Sequence, residues 1–291
     1  MPGGYTGKIL FVDLTSGEIR EETPDEKLLR DFIGGYGIGA RVLYSRQKGG
    51  VDPLGPDNIL GLVTGPLTGS TNCWGARYTA VAKSPLTGVW GDSNCGGEFG
   101  PYLKFAGYDA VYFTGASAKP VYLLCNNGKA EFRDASFLWG KDTYETIELL
   151  KPELGNNFRA ATIGPSGEKK ALLASIISER FRAAARAGLG AVMGSKNLKA
   201  VVVMGNQTIP IADKEGLSKI SKKYLAYIKT NPIGINWGKF GTCGITASAV
   251  TSGDAAIKNW TLAGLENFPN AEDISGQSVI DIQSVRHGCW R

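Results

Sequence analysis

Glycine constrains this chain more than any other residue type. It fills 40 of 291 positions, roughly twice the ordinary usage, with no collagen-like period of three. Glycines placed this way serve tight turns and close approaches of one backbone to another. Between them lie short apolar runs rich in β-branched residues, as at 59–63 and 200–204. Short strands punctuated by glycine turns are therefore the expected local structure. The chain can also build a core: 43% of residues are apolar and 20% charged, which excludes intrinsic disorder.

Residues 8–14 and 18–22 read as a hairpin around Thr15-Ser16-Gly17. A helix is expected next, N-capped by Thr23, with Pro24 at its first position and Glu26 completing a capping box. Gly34-Gly35 ends it, and a second helix is expected over 36–47. Strands are predicted at 59–63, 77–82, 110–113, 121–125, 129–132 and 200–204, with Asn126-Asn127-Gly128 as a hairpin turn. Short helices are predicted at 98–105, 141–151 and 182–193. Strands and helices mix without strict alternation, so the expected class is α+β. Beyond 211 the spacing of Leu217, Ile220, Tyr224, Leu225 and Ile228 is helical, and 240–251 and 275–285 also read as helices. A boundary near 210 gives domains 1–210 and 211–291, the second too short for a core of its own. Pro-Leu-Thr-Gly occurs at 66–69 and again at 85–88, which suggests similar turns on successive hairpins.

Charge and composition exclude several functions. The net charge of +5, from 32 basic and 27 acidic residues, allows an anionic ligand but is not the concentrated patch of a nucleic-acid binder. No apolar run reaches the roughly 18 residues of a membrane span. The start, MPGGYTGK, has no apolar stretch like that of a secretory leader. Five scattered cysteines, an odd number, fit a reducing cytoplasm better than a disulfide framework. The single histidine, His287, excludes a multi-histidine zinc or iron site and argues against a Ser-His-Asp triad.

The densest chemical signal runs over 65–100. Arg77 opens a predicted strand between the two Pro-Leu-Thr-Gly turns, and Asn94-Cys95-Gly96-Gly97 precedes a predicted helix. Glycines before a helix leave N–H groups free for an anion, and arginine offers a planar fork to phosphate oxygens. The segment reads either as the seat of a phosphate-bearing cofactor or as a glycine-rich hairpin with a surface arginine. A second segment, 180–197, places Arg182 and Arg186 four apart, on one face if helical. It reads either as a solvated basic face or as a second wall for the same anion. The GGYGIG run at 34–39 lacks dinucleotide spacing and follows a helix, so it is taken as a structural turn. Cys73, Cys95, Cys125 and Cys243 have no metal-type spacing. Asp92, Glu98, Asp109 and Glu168 form no pair that assigns acid and base roles.

Taken in order, these stretches resemble the N-terminal part of the tungsten-containing aldehyde:ferredoxin oxidoreductase family. The resemblance rests on TGKILFVDLTSGEI, GPLTG, GARYTAVAKSPLTG, SNCGGEFGPYLKFAGYDA, KPVYLL, FRDASFLWGK, ATIGPSGE, RAAARAGLGAVMGSKNLKAVVV and IPIAD, which cover most of residues 5–213. It implies two related β-sheets with short helices that cradle a cofactor from one side, followed by the start of a mostly helical domain. The implied cofactor is a bis-pyranopterin of tungsten or molybdenum whose phosphates are bridged by magnesium. The positions that match the family's contacts are Arg77, Asn94, Gly96, Arg182, Ala183, Ala185 and Arg186. Asn94 and Ala183 are the ones whose main-chain carbonyls would reach magnesium. Ala185 stands where the family usually has glycine, so its methyl is expected to crowd the pterin.

Cys289 matches the first cysteine of the family's Cys-x-x-Cys-x-x-x-Cys run, a [4Fe–4S] ligand set, and the remaining ligands are absent from this sequence. The complete family oxidises aldehydes to carboxylates and passes electrons through that cluster to ferredoxin. The resemblance therefore implies a cofactor-binding portion of such an enzyme, inactive alone, with no catalytic side chain of its own. Its partners would be a second polypeptide carrying the remaining helical domains and a ferredoxin-like acceptor, with a homodimer as a further option. No nucleic-acid or membrane partner is expected, and the expected location is the cytoplasm. The other reading is a non-catalytic relic or a pterin-binding or assembly module.

Overall fold

A computed structural model of the chain describes residues 3–70, 75–179 and 181–283. It divides into two units, Met1–Asp213 and Lys214–Arg291. The described part of the first unit holds two six-stranded mixed sheets. The strands of the first sheet are β1 (Ile9–Asp13), β2 (Ile19–Glu22), β3 (Leu60–Thr64), β4 (Tyr78–Lys83), β5 (Trp90–Cys95) and β6 (Ala110–Thr114). Those of the second are β7 (Val121–Asn126), β8 (Lys129–Asp134), β9 (Arg159–Thr162), β10 (Ile176–Ser178), β11 (Arg182–Ala184) and β12 (Leu198–Met204).

The sheets share one plan. The first runs β2-β1-β6-β3-β4-β5, and the second, read from its other edge, runs β8-β7-β12-β9-β10-β11. In each a hairpin leads into one parallel pair, β1 with β6 and β7 with β12, and every other pair is antiparallel. Registers agree as well. Val63 faces Ala110 in one sheet and Thr162 faces Ala200 in the other. One residue on, the Thr64 N–H donates to the Asp109 carbonyl at 3.0 Å and the Ile163 N–H to the Lys199 carbonyl at 3.1 Å. Gly65-Pro66 and Gly164-Pro165 follow at the same step.

Helices fill matching gaps. Helices α1 (Glu26–Phe32) and α2 (Tyr36–Arg46) join β2 to β3, and α4 (Thr143–Leu154) joins β8 to β9. Helix α3 (Phe99–Phe105) joins β5 to β6, and α6 (Leu189–Ser195) joins β11 to β12, with the single turn α5 (Pro165–Glu168) between β9 and β10. Strand alternation sorts side chains to two faces. Leu10, Leu62, Phe113, Leu123, Ala161 and Val203 lie in one core shared by both sheets. Ile9, Val63, Val81 and Tyr112 instead meet Leu29, Ile38, Val42 and Leu43 of α1 and α2. Tyr122, Ala160 and Val202 meet Leu138, Ile147 and Leu150 on the far side of the second sheet. Burying each such Leu or Val stabilises the fold by about 1.5–3 kcal/mol before entropy is counted.

Several expectations need correction. The first helix is capped by Asp25, whose side chain accepts from the Leu28 N–H, and not by Thr23. Residues 182–193 are not one helix: 182–184 is strand β11, paired antiparallel with β10, and the helix starts only at Leu189. Strands β5, β9 and β10 fall where no strand was expected. Both Pro-Leu-Thr-Gly copies end on a glycine at φ +76, Gly69 and Gly88, so the repeat is one of turn geometry.

The second unit has helices α7 (Lys214–Thr230), α8 (Pro232–Phe240), α9 (Thr246–Thr251) and α10 (Gly276–Ile282). Asn231 caps α8 through the Ile233 and Gly234 N–H groups, with Pro232 at the first position. Among its described hydrophobic residues only Val250 and Ala271 are buried, whereas Ile220, Leu225, Tyr227, Ile233 and Trp237 are exposed. No described helix is long and apolar enough to cross a membrane.

Candidate cofactor wall

The site starts where the first sheet ends. Thr79 of β4 faces Asn94 of β5. Arg77, just before β4, donates from Nη1 to Asn94 Oδ1 at 2.7 Å, and Asn94 Nδ2 donates to Thr79 Oγ1 at 3.2 Å. The turn at 65–68 fixes the arginine's main chain, because Thr68 Oγ1 donates to the Arg77 carbonyl at 2.7 Å and accepts from the Gly65 N–H at 3.1 Å. The side chain is thus aimed by its own strand pair, without a ligand.

Two glycines follow, with different jobs. Among the described residues, a side chain at Gly96 would meet only Arg77 Cζ, 4.0 Å away, so this position stays open to them. Gly97 has φ +90, and a Cβ there would lie 2.7 and 2.8 Å from the Glu179 carboxylate oxygens and 2.9 Å from Arg182 Cγ. Arg77 and Arg182 therefore stand beside consecutive residues, although the sequence separates them widely. The structure brings Arg77, Asn94, Gly96 and Arg182 into one neighbourhood.

Three ties set the course of the second segment. Arg182 meets Gly97, the Arg186 N–H donates to Ser93 Oγ at 3.0 Å, and the Ala187 methyl fills the space over Gly91. Residues 182–187 thus run antiparallel beside 91–97. Asn94 and Gly96 on one side, and Ala183 and Ala185 on the other, fall between these ties. Arg182 is half-buried, while Ala183, Ala185 and Arg186 are exposed. The two connections that meet here, β5 to α3 and β11 to α6, hold the same place in the shared plan, so each half contributes one loop.

Two expectations about this wall change. Arg182 and Arg186 do not share a helix face, because β11 and the turn after it replace that helix. At the start of α3 two N–H groups are already taken up: Glu98 and Phe99 both donate to Glu179 Oε1, the latter at 3.0 Å. Ala185 is absent from the positive-φ residues, so its methyl adds no backbone strain. The turn at 34–39 is structural. Gly34 and Gly35 link α1 to α2, and residues 36–39 form the start of α2, where Gly39 lets the helix approach Val81.

Beneath the wall lies a small polar network. Tyr78 Oη and Ser178 Oγ share a hydrogen bond of 2.7 Å that joins β4 to β10 across the two sheets. Cys95 is buried beside them, and burial pushes its thiol up, which disfavours the thiolate that a metal would need. Among the described residues no group of three His, Cys, Asp or Glu could hold a metal ion. Cys289, the proposed cluster ligand, lies outside the described residues. A cavity of about 790 Å³ runs elsewhere, between Ile19 and Glu21 of β2 and Leu124, Lys129 and Arg133 of β7 and β8, and includes no wall residue.

Sequence reasoning missed Glu179 and Arg159. Glu179 is the one carboxylate inside an otherwise basic 179–186 stretch, and that contrast was the available signal.

Known proteins resemble this chain in sequence and fold. The family model described as aldehyde ferredoxin oxidoreductase, N-terminal domain, matches residues 9–205. The tungsten-containing aldehyde ferredoxin oxidoreductase of Pyrococcus furiosus is 39% identical over 286 residues, 98% of this chain and 47% of that protein. Its counterpart in Thermococcus kodakarensis is 43% identical over the same length, with the same coverage of each chain. The WOR-like subunit of an aliphatic sulfonate oxidoreductase from Pyrococcus furiosus is 34% identical over 93% of this chain and 45% of that one. Among solved structures, the active-site complex BamBC of benzoyl coenzyme A reductase with 1,5-dienoyl-CoA superposes with a TM-score of 0.77. It is 40% identical and covers 79% of this chain and 35% of the other. The chain spans just under half the length of these curated relatives.

Proposed function

The chain belongs to the aldehyde ferredoxin oxidoreductase family, and from that premise we propose that its first unit is the wall that holds a tungsten bis-pyranopterin. The observation that carries the proposal is the placement of Arg77 and Arg182 beside Gly96 and Gly97. The donor set suits the group. Guanidinium forks match phosphate oxygens, and main-chain carbonyls such as those of Asn94 and Ala183 suit magnesium, a hard cation. Gly96 leaves open space next to Arg77 for a flat ring system. A wall made of two equivalent loops also suits a cofactor with two equivalent pterins. Tungsten itself needs no ligand from this wall.

When bound, the cofactor would supply the two-electron chemistry that takes an aldehyde to a carboxylate. This chain's residues bind and orient. Arg77 and Arg182 hold the anionic end, with Arg186 at the rim. The Asn94 side-chain amide is locked by Arg77 and Thr79, which holds this residue in place beside Arg77. None of these side chains is positioned to move a proton, so acid–base groups, the cluster and the route to a ferredoxin-like acceptor are assigned to further polypeptide. The exposed apolar side chains of the second unit support a partner there.

Relatives named as an aldehyde ferredoxin oxidoreductase, an aliphatic sulfonate oxidoreductase subunit and a benzoyl coenzyme A reductase complex share this region. This wall therefore sets the cofactor and not the substrate. The second reading, a non-catalytic pterin-binding module, makes a different prediction for one experiment. The chain is purified without oxygen from its native source, and tungsten, molybdenum, iron and co-purifying polypeptides are measured. Tungsten near one per chain together with a second polypeptide supports the enzyme portion. A metal-free chain that still carries pterin favours the module, and a chain with neither contradicts the cofactor wall.

A further inference from the structure

We propose that Glu179 is the positioning residue of this wall, the group that holds the Asn94–Gly97 loop in its ligand-ready shape before any cofactor arrives. The proposal rests on the cofactor reading above.

Glu179 sits on the turn between β10 and β11, in the second half of the unit, at φ 61. Non-glycine residues rarely adopt that conformation, and it persists only where surroundings enforce it. What it achieves here is reach. The carboxylate crosses to the first half and accepts from both the Glu98 and Phe99 N–H groups through one oxygen. It also occupies the space that a Cβ at Gly97 would need, which explains why that residue is glycine. The loop is then held at both ends: Arg77 grips Asn94 on one side and Glu179 grips residues 98–99 on the other. Gly96 lies between.

A second brace backs the first. Arg159 at the start of β9 donates from Nε to Glu98 Oε2 at 2.6 Å, and its guanidinium lies 4.4 Å over the Tyr102 ring. The two carboxylates, Glu98 and Glu179, would repel one another, and Arg159 offsets that repulsion. Arg182, the neighbouring wall arginine, packs its Cγ on the same Gly97. Glu179 therefore couples the loop of one half to the arginine segment of the other, three residues before Arg182 itself. Hydrogen bonds to a charged acceptor are among the stronger ones.

The test uses the full chain with Glu179→Ala, Glu179→Gln and Arg77→Ala, and two readouts. The first is amide hydrogen exchange at Glu98 and Phe99, with β7 and β12 as the global reference. The second is pterin recovered per chain after anaerobic purification, measured as its fluorescent oxidation product. In Glu179→Ala exchange at the two amides rises by about tenfold or more while β7 and β12 are unchanged, and pterin recovery falls severalfold. Glu179→Gln keeps an acceptor oxygen and restores much of both. Arg77→Ala loses pterin with little change in exchange at Glu98 and Phe99. Unchanged exchange in Glu179→Ala, or faster exchange with full pterin recovery, overturns the positioning role while leaving the cofactor wall intact. A wild-type chain without pterin overturns the cofactor reading itself, and with it any role for Glu179 in cofactor binding.

Discussion

At the step before Ala110 the first half of the sheet unit carries Asp109; at the matching step before Ala200 the second half carries Lys199. Both are buried, and their signs are opposite. Asp109 accepts from the Thr6 and Gly7 N–H groups at 3.0 and 2.7 Å and faces Lys104 Nζ at 3.5 Å. Lys199 donates to the Lys141 carbonyl at 2.7 Å and to Glu168 Oε1 at 2.5 Å. The segment to be tied decides the sign. The chain start offers N–H groups and needs an acceptor, whereas the segment before α4 offers a carbonyl and needs a donor. The duplicated frame thus keeps a place for a buried charged clamp while the chemistry of each clamp follows its client.

The largest expected effect comes from breaking either clamp. Asp109→Ala and Lys199→Ala each leave a buried partner uncompensated and should each cost about 3–5 kcal/mol in chemical denaturation. Asp109→Ala should be the worse, because it also strands two backbone donors. Equal and small losses would mean that these pairs are not clamps.

A smaller effect separates the two loops of the wall. Gly97→Ala forces a methyl into Glu179 and Arg182 at φ +90 and should cost about 1–3 kcal/mol. At the other loop Ala187 already has φ 61, so Ala187→Gly should stabilise by up to about 1 kcal/mol, less whatever is lost with the methyl that covers Gly91. Thermal melts of the two variants should therefore move in opposite directions.

Alkaline pH sharpens the comparison further. Burial lowers the Lys104 ammonium to about 8, with Asp109 opposing the shift. Between that value and the ordinary lysine range near 10.4 the unfolded chain holds the extra proton, so this group's contribution to stability rises with pH. Relative to Lys104→Met, the wild-type denaturation midpoint should climb from pH 8 to pH 10. A flat difference would place Lys104 in contact with water. The smallest effect lies outside both halves: Leu225→Ala removes an exposed side chain of α7 and should change stability by less than about 0.5 kcal/mol in the chain alone.

Much of the frame was legible in the sequence. The β1–β2 hairpin, α2, and strands β6, β7, β8 and β12 carry strong apolar runs or turn signals, and they formed as expected. Strand β5 was not legible, since Trp-Gly-Asp-Ser-Asn-Cys has little intrinsic strand preference and is held by its pairing with β4. Strand β11 was misread because alanine favours helix, and pairing with β10 overrides that preference. The duplication stayed hidden because few identical residues mark it, chiefly Gly-Pro after β3 and β9 and Ala-Val in β6 and β12. In the site, Arg77, Asn94 and Gly96 stood out through their glycine-rich setting. Glu179 did not, because a lone glutamate has no spacing signature and acts through a turn that only the fold creates.

The measurement that tests the central claim most directly is pterin bound by the full chain with Arg77→Ala and Arg182→Ala, singly and together, in anaerobically purified protein with unchanged circular dichroism. The account predicts pterin in the wild type, a marked loss in each single variant and none in the double variant. A double variant that keeps its pterin, or a wild type that has none, would contradict it.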